Sequence, residues 1–137
     1  MICLTFIICM FSASLTAPPS PSFDIGVDEP IKPYEAVWNA TCAVESNFNP
    51  NAIGDKHLKQ WSYGIAQIRK TRLDDYYQRT DIRYSTHDML DPIKSKEVFM
   101  YYTRGDNEVV AREWNGGPTG MNKKSTIKYW NLIKTNL

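Results

Sequence analysis

The distribution of proline along the chain limits where a compact domain can form. Five of the eight prolines lie within residues 18–33, at Pro18, Pro19, Pro21, Pro30 and Pro33. Because proline fixes φ and lacks an amide donor, so dense a run favours an extended linker over a helix or strand. We therefore expect a linker over 18–33 and one folded domain over 34–137, a length that suits a single hydrophobic core.

The segment before this linker has the composition of a targeting sequence. Residues 1–17 contain no charged side chain, and positions 2–12 are nearly all apolar. The run is short for a membrane-spanning helix, which needs about 20 apolar residues. With small residues from Ser12 to Ala17 it predicts a signal peptide, and a short uncleaved anchor is the alternative. Export would place the protein in the periplasm or cell envelope.

Charge and cysteine content exclude several classes of function. The 16 basic and 15 acidic side chains leave a net charge of +1, without the strong positive charge of a nucleic-acid-binding protein. If residues 1–17 are removed, Cys3 and Cys9 go with them, so Cys42 has no partner for an internal disulfide. Two histidines and one cysteine give no metal-ligand spacing. We expect a monomer with no metal, cofactor or nucleic-acid partner.

Apolar spacing and capping signals predict a mainly α domain with one short extended element. Helices are expected over 33–47, 70–79, 92–102, 107–114 and 125–134, with Asp91 and Asp106 as N-caps. The segment 62–68 should be extended, after a loop over 49–61. The residues expected to face inward are Ala36, Val37, Ala40, Val44, Phe48, Leu73, Tyr76, Tyr77, Tyr129, Trp130 and Ile133.

One acid stands at the inner end of the first predicted helix. Glu45 follows Thr41 by four residues and Trp38 by seven, so it shares a helix face with apolar surface. Burial there would raise the pKa of Glu45 and keep a proton available for a leaving group. Position alone favours the alternative, a solvated glutamate near a helix end.

Five short motifs occur in an order that resembles the lytic transglycosylase branch of the lysozyme-like superfamily. They are ESNF at 45–48, SYGIAQI at 62–68, DMLDP at 88–92, REWNGG at 112–117 and TIKYW at 126–130. The resemblance covers about 34–134 and implies an α+β lysozyme-like fold with a glycan groove. The residue before Asn115 is Trp114, where the family usually has tyrosine. W-N-G-G-P with T-x-x-Y-W is similar to a phage-associated or Bacteroidetes-like branch. A phage-associated protein of this kind would be bound to the virion or released for host lysis.

The resemblance also implies a role for each matching residue. Glu45 would act as acid and then base, and Ser46 would order the turn beside it. Gly64 and Gln67 would line one wall of the groove, with Gln67 bonding sugar or the acid. Trp114 and Asn115 would close the opposite wall, with Trp114 partly exposed to stack on a sugar. The substrate would be peptidoglycan glycan strands, cut between N-acetylmuramic acid and N-acetylglucosamine.

The number of carboxylates at the site decides between two products. Glycosidases normally use two, whereas this family works with one acid and lets the muramic acid 6-hydroxyl close onto C1. That reaction leaves 1,6-anhydro-muramic ends, and a hydrolytic lysozyme is the alternative. Asp55, Asp74 and Asp75 are candidates for a second carboxylate, and Asp55 lies between two of the motifs. A turn residue after Gly54 is the simpler interpretation of Asp55.

Two other classes of function compete with a glycan-cleaving enzyme. A cysteine peptidase could pair Cys42 with His57 or His87, but Cys42 lies late in its helix, where the dipole disfavours the thiolate. A non-catalytic glycan-binding module would keep the groove and could lose the acid. The presence of Glu45 favours the enzyme over the module.

Overall fold

A computed structural model describes residues 33–137, and helices account for most of them. The predicted signal peptide, and the predicted linker apart from Pro33, lie outside these residues. In the described part we label five α-helices α1 to α5: Glu35–Ser46, Lys70–Thr80, Pro92–Tyr101, Asn107–Gly116 and Ser125–Lys134. Short 3₁₀ helices span His87–Leu90 and Gly120–Asn122. None of the helices in this part of the chain is long and apolar enough to cross a membrane.

The helix ends form where the capping residues predict them. An Asp91 carboxylate oxygen accepts a hydrogen bond from the Ile93 amide at 2.8 Å and begins α3. An Asp106 carboxylate oxygen accepts from the Val109 amide at 2.9 Å and begins α4. Gly117 ends α4 with a φ of 76°, a conformation that costs glycine little. These caps confirm the predicted helix starts, and α4 runs two residues further than Trp114.

A three-stranded antiparallel sheet replaces the single extended element that the sequence predicts. Its strands are β1 Ile53–Gly54, β2 Ser62–Tyr63 and β3 Ile68–Arg69, in the order β1-β2-β3. Ile53 pairs with Tyr63, which in turn pairs with Ile68. The segment 62–68 therefore reverses direction between two strands, because Gly64 and Gln67 adopt φ values of 76° and 53°. The expected loop over 49–61 contains the third strand, β1.

The buried face of α1 differs from the predicted apolar stripe. Val37 and Ala40 are buried as expected, whereas Ala36 and Phe48 are exposed. Phe48 leaves the stripe because α1 ends at Ser46, and both Asn47 and Phe48 adopt left-handed φ values of 51° and 60°. Residues beyond that turn no longer follow helical spacing. The buried side of α1 instead comprises Val37, Trp38, Ala40, Thr41 and Cys42.

The core is an aromatic chain that joins three helices. The rings of Trp38 on α1 and Phe99 on α3 have centroids 5.1 Å apart, and Phe99 lies 4.8 Å from Trp114 on α4. Tyr129 and Ile133 of α5 are buried against the same core, as predicted. Tyr77 and Trp130, also expected inside, are only partly buried. This core supports the end of α1, where Glu45 lies.

Candidate active site

Glu45 lies in the last turn of α1 and contacts the C-terminal helix. The Tyr129 hydroxyl of α5 donates a hydrogen bond to Oε1 of Glu45 at 2.7 Å. Both side chains are partly or fully buried, so the hydrogen bond is shielded from water. The contact joins residues 84 positions apart and fixes the carboxyl group in one place.

The surroundings of Glu45 favour its protonated form. Burial raises the pKa of Glu45 above its ordinary value, and this effect exceeds the opposing hydrogen bond from Tyr129. The negative charge of Asp55 raises the pKa further, whereas Arg69 lowers it. The expectation of a desolvated carboxyl group is therefore confirmed. A carboxylic acid in this state can donate a proton near neutral pH.

Ser46 connects the end of α1 to the β2–β3 turn. Its hydroxyl donates to the Ile65 carbonyl oxygen at 2.8 Å and to the Cys42 carbonyl oxygen at 3.3 Å. Since Ser46 follows Glu45 directly, this contact holds the acid beside the sheet. The side chain thus joins the end of α1 to this turn.

Gly64 and Gln67 build the hairpin that faces this helix end. Gly64 is buried, and a Cβ at this position would overlap the carbonyl oxygen of Met89. Gln67 Nε2 donates to the carbonyl oxygens of Gly64 at 2.8 Å and Ala52 at 3.3 Å. Its Oε1 accepts from the Ser62 hydroxyl at 2.7 Å. The amide of Gln67 thus holds the hairpin together, and its predicted bond to sugar or the acid stays a prediction.

Asp55 is the carboxylate that influences Glu45, and an arginine neutralises it. Arg69 Nη2 and Nε donate to Oδ2 of Asp55 at 2.6 and 3.2 Å. This pairing holds the pKa of Asp55 below its ordinary value. Glu45 and Asp55 thus have pKa values shifted in opposite directions, which assigns the proton to Glu45 and the charge to Asp55. A carboxylate paired in this way is a weak base.

Trp114 belongs to the core rather than to an open groove wall. Its side chain is 8 % exposed, so the expectation of a partly exposed ring is wrong. Phe99 covers one side of the ring, and the Arg72 guanidinium lies 4.4 Å from its centroid. Asn115, the next residue of α4, is exposed. Of the two residues predicted to close the opposite wall, the structure leaves only Asn115 at the surface.

Tyr129 is the site residue that sequence reasoning did not assign to the acid. It is the tyrosine of the TIKYW motif and was expected only to be buried. Burial and the neighbouring Glu45 raise the pKa of Tyr129 far above its ordinary value, so its hydroxyl stays protonated and remains a donor. A signal was available, because a tyrosine in the buried stripe of a helix needs a hydrogen-bond partner.

The residues of the alternative peptidase do not form a reactive site. Cys42 is 1 % exposed, and burial raises the pKa of its thiol to about 12. A thiol that remains protonated at neutral pH is a poor nucleophile. His57 and His87 are both exposed. Across residues 33–137 no group of three or more histidine, cysteine or acidic side chains is arranged to hold a metal ion.

A small helical domain with a three-stranded sheet beside one buried acid defines the lysozyme-like class of glycan-cleaving domains. Residues 34–132 match the Transglycosylase SLT domain family, and the chain belongs to this family. No curated protein matches the chain. SLT domains are enzymes that cleave the glycan strands of peptidoglycan, and the protein is an enzyme of this kind.

Proposed function

We propose that this protein cleaves the β-1,4 bond between N-acetylmuramic acid and N-acetylglucosamine and leaves 1,6-anhydro-muramic ends. The observation that carries the proposal is that burial raises the pKa of one acid, Glu45, while the second carboxylate, Asp55, is held in an ion pair by Arg69. Activation of a water molecule would need a free base. Closure of the 6-hydroxyl onto C1 needs only Glu45.

In the proposed reaction Glu45 acts twice. Its proton passes to the glycosidic oxygen as the bond to C1 breaks. The resulting carboxylate then takes the proton of the 6-hydroxyl as that oxygen bonds to C1, which returns Glu45 to its starting state. The Tyr129 hydroxyl, 2.7 Å from Oε1, stabilises the carboxylate between the two steps. Without this hydrogen bond, the ionised carboxylate of Glu45 would be buried with no partner, at a large cost in free energy.

The other site residues hold this arrangement in place. Ser46, Gly64 and Gln67 position the hairpin against Glu45 through hydrogen bonds within the protein. Trp114 supports the same region from the core, and Asn115 is the exposed side chain that remains available to a sugar. We assign substrate contact to Asn115 and positioning roles to the other four.

A hydrolytic muramidase is the second candidate, and Asp55 is the observation that favours it. Asp55 is ionised and acts on the pKa of Glu45, as the second carboxylate of a lysozyme would. Its pairing with Arg69 opposes that role by lowering its basicity. Release of Asp55 from Arg69 on substrate binding would be required for it to activate water.

The product distinguishes these two reactions. Purified peptidoglycan is digested, the fragments are treated with borohydride, and their mass is measured. Chain ends that resist reduction support the transglycosylase, because an anhydro ring has no reducing end. Ends that reduce normally mean that water was the nucleophile, and Asp55→Asn should then abolish cleavage. The absence of any cleavage by the folded protein would contradict both proposals.

We also propose that the protein acts outside the cytoplasm. Its peptidoglycan substrate lies there, and residues 1–17 have the composition of a signal peptide, followed by the proline-rich linker over 18–33. Mass spectrometry of the protein recovered from cell fractions would locate it and identify its first residue. Recovery of the intact chain in the cytoplasmic fraction alone would contradict this proposal.

A further inference from the structure

Positive charge is concentrated in the last part of the domain. Residues 121–137 hold four lysines and no acidic side chain, which gives a net charge of +4. Residues 33–120 hold 11 basic and 12 acidic side chains, which gives a net charge of −1. Such an asymmetry between two parts of one domain is typical of a surface that contacts an anionic partner.

Helix α5 carries most of this charge on the side that points away from the core. Its buried side consists of Thr126, Tyr129 and Ile133. Residues three or four positions apart are neighbours on a helix, so the exposed residues opposite form one continuous strip. We name this strip the basic face of α5, and it comprises Lys124, Ile127, Lys128, Asn131, Leu132 and Lys134.

The three lysines of the basic face have no carboxylate partner within the domain. Their side chains are exposed, and none of them belongs to an ion pair formed among residues 33–137. Lysines on α2 and α3 differ, because each pairs with a carboxylate at 2.6 or 2.7 Å: Lys70, Lys94 and Lys96. The charge of the basic face is therefore available to a partner outside the domain.

The position of these lysines opposes the stability of α5. Lys124 is the N-cap residue, where the helix dipole favours negative charge, and the first turn of α5 contains no acidic residue. Lys124 and Lys128 are four positions apart, so their like charges repel each other. The stability of the helix does not account for this pattern. An external anionic surface would relieve both unfavourable interactions.

Exposed apolar side chains lie among the lysines. Ile127 is 44 % exposed and Leu132 is 51 % exposed. Ile127 follows Lys124 by three positions and Leu132 follows Lys128 by four, so each apolar side chain lies beside a charged one. On a lipid surface, lysine contacts the headgroups while a neighbouring apolar side chain enters the boundary with the acyl chains. A soluble anionic polymer would match the lysines and leave Ile127 and Leu132 in water.

We propose that the basic face of α5 docks on the surface of a membrane that contains anionic lipids. The helix lies parallel to the membrane in this arrangement, because its lysines are spread from Lys124 to Lys134, a distance of about 15 Å at 1.5 Å per residue. Tyr129, which donates to Glu45, is on the buried side of α5, so docking occupies neither residue. Docking requires no step of the glycan-cleaving reaction, and it holds the enzyme at the membrane surface.

Sedimentation with lipid vesicles measures the preference for anionic lipid. The full chain is mixed with vesicles of phosphatidylcholine, or with vesicles of equal parts phosphatidylcholine and phosphatidylglycerol, and the two dissociation constants are compared. Residues 1–17 contain no charged side chain, so they give little preference between the two vesicles. We expect anionic vesicles to bind on the order of 10²-fold more tightly, because each of three lysines contributes roughly fivefold. High salt should reduce this preference.

Two triple variants locate the charge that is responsible. In the test variant the lysines of the basic face become glutamine: Lys124→Gln, Lys128→Gln and Lys134→Gln. The matched control removes the same charge from exposed positions elsewhere: Lys56→Gln, Lys59→Gln and Lys70→Gln. The ratio of dissociation constants should fall towards one in the test variant and stay high in the control. A ratio near one in the unaltered protein, or equal losses in the two variants, overturns the proposal.

A double variant, Ile127→Asn with Leu132→Asn, distinguishes a membrane from a soluble polyanion. It keeps every lysine, so binding to poly-L-glutamate should be unchanged, whereas binding to the anionic vesicles should weaken by roughly tenfold through lost apolar burial. Ile93→Asn is the matched control, because Ile93 on α3 is 79 % exposed and outside the basic face. It should change neither affinity. Unchanged vesicle binding in the double variant overturns docking on a membrane and favours a soluble anionic partner.

Discussion

At the scale of single residues, the chemistry depends on a contact that connects the two ends of the domain. Glu45 could be identified from the sequence because one helix face and the following motif point to it. Its partner Tyr129 could not, since the contact spans 84 positions and only the packing of α5 on α1 brings them together. The burial of Trp114 was missed for a similar reason, because Arg72 and Phe99 cover it from other elements.

Glu45→Gln removes the proton donor and keeps the size of the side chain. We expect cleavage of peptidoglycan to fall by at least about 10²–10⁴-fold, the usual contribution of a general acid and base. Release of soluble fragments from purified peptidoglycan measures the loss. Glu35→Gln is the control on the same helix, because Glu35 forms an ion pair with Lys96 far from the site. Retention of cleavage by folded Glu45→Gln would contradict the role of Glu45.

Tyr129→Phe removes the hydrogen bond that favours ionised Glu45. Because that bond lowers the pKa of Glu45, its loss should raise this pKa further. The limb of the pH–rate profile on which Glu45 loses its proton should move to higher pH, and the rate of the second step should fall. Tyr84→Phe is the matched control, since Tyr84 also donates to a carboxylate, Glu97, at 2.8 Å. An unshifted pH–rate profile in Tyr129→Phe would show that the hydrogen bond from Tyr129 does not affect the pKa of Glu45.

At the scale of elements, helices could be predicted from the sequence and the sheet could not. The starts of α3 and α4 follow from Asp91 and Asp106, whose caps act within three residues along the chain. The strands are each two residues long, too short for an alternating pattern. Their pairing depends on Gln67, whose amide bonds three separate residues. The hairpin of Gly64 and Gln67 was therefore the part of the site that was hardest to predict from the sequence.

Gly64→Ala tests whether the hairpin needs glycine for space as well as for conformation. Gly64 and Gly117 share a φ of 76°, and Gly117 has a ψ of −171°, so alanine costs about 1–3 kcal/mol of backbone strain at either position. At Gly64 the new Cβ would also overlap the Met89 carbonyl oxygen, whereas at Gly117 it would meet nothing within 4 Å. Chemical denaturation should show Gly64→Ala to be the less stable by roughly a further 1–3 kcal/mol. Equal losses would mean that the turn moves away from Met89 freely.

At the scale of the whole molecule, one aromatic core supports the end of α1, where Glu45 lies. Trp114→Ala should therefore cost about 3–5 kcal/mol in the free energy of unfolding, as for other buried aromatic residues. Trp61→Ala is the matched control, because Trp61 is 45 % exposed and should cost far less. Denaturant midpoints with unchanged slopes measure both losses. A Trp114→Ala protein as stable as Trp61→Ala would contradict its place in the core.

The shifted pKa values of three carboxyl groups predict that the folded protein is most stable in mildly acidic solution. Lys94 and Ser85 hold the pKa of Asp88 below its ordinary value, and Arg69 does the same for Asp55, so their stabilising effect exists above about pH 4 and is lost as the pH falls. Glu45 acts in the opposite sense. Since burial raises its pKa, its stabilising effect is complete below the unfolded pKa of about 4.3 and is lost as the pH rises through the folded value.

Thermal unfolding from about pH 3 to about pH 8 should separate these two effects. Asp88→Asn should flatten the loss of Tm on the acidic side, because it removes a carboxylate that Lys94 holds at 2.6 Å. Asp55→Asn should flatten it as well, because it removes the carboxylate that Arg69 holds at 2.6 Å. Glu45→Gln should leave the acidic side unchanged and raise Tm increasingly towards neutral pH, since a buried amide carries no charge to desolvate. A lower Tm of Glu45→Gln at neutral pH would mean that ionised Glu45 stabilises the folded protein. The burial of Glu45 would then not reduce stability at neutral pH.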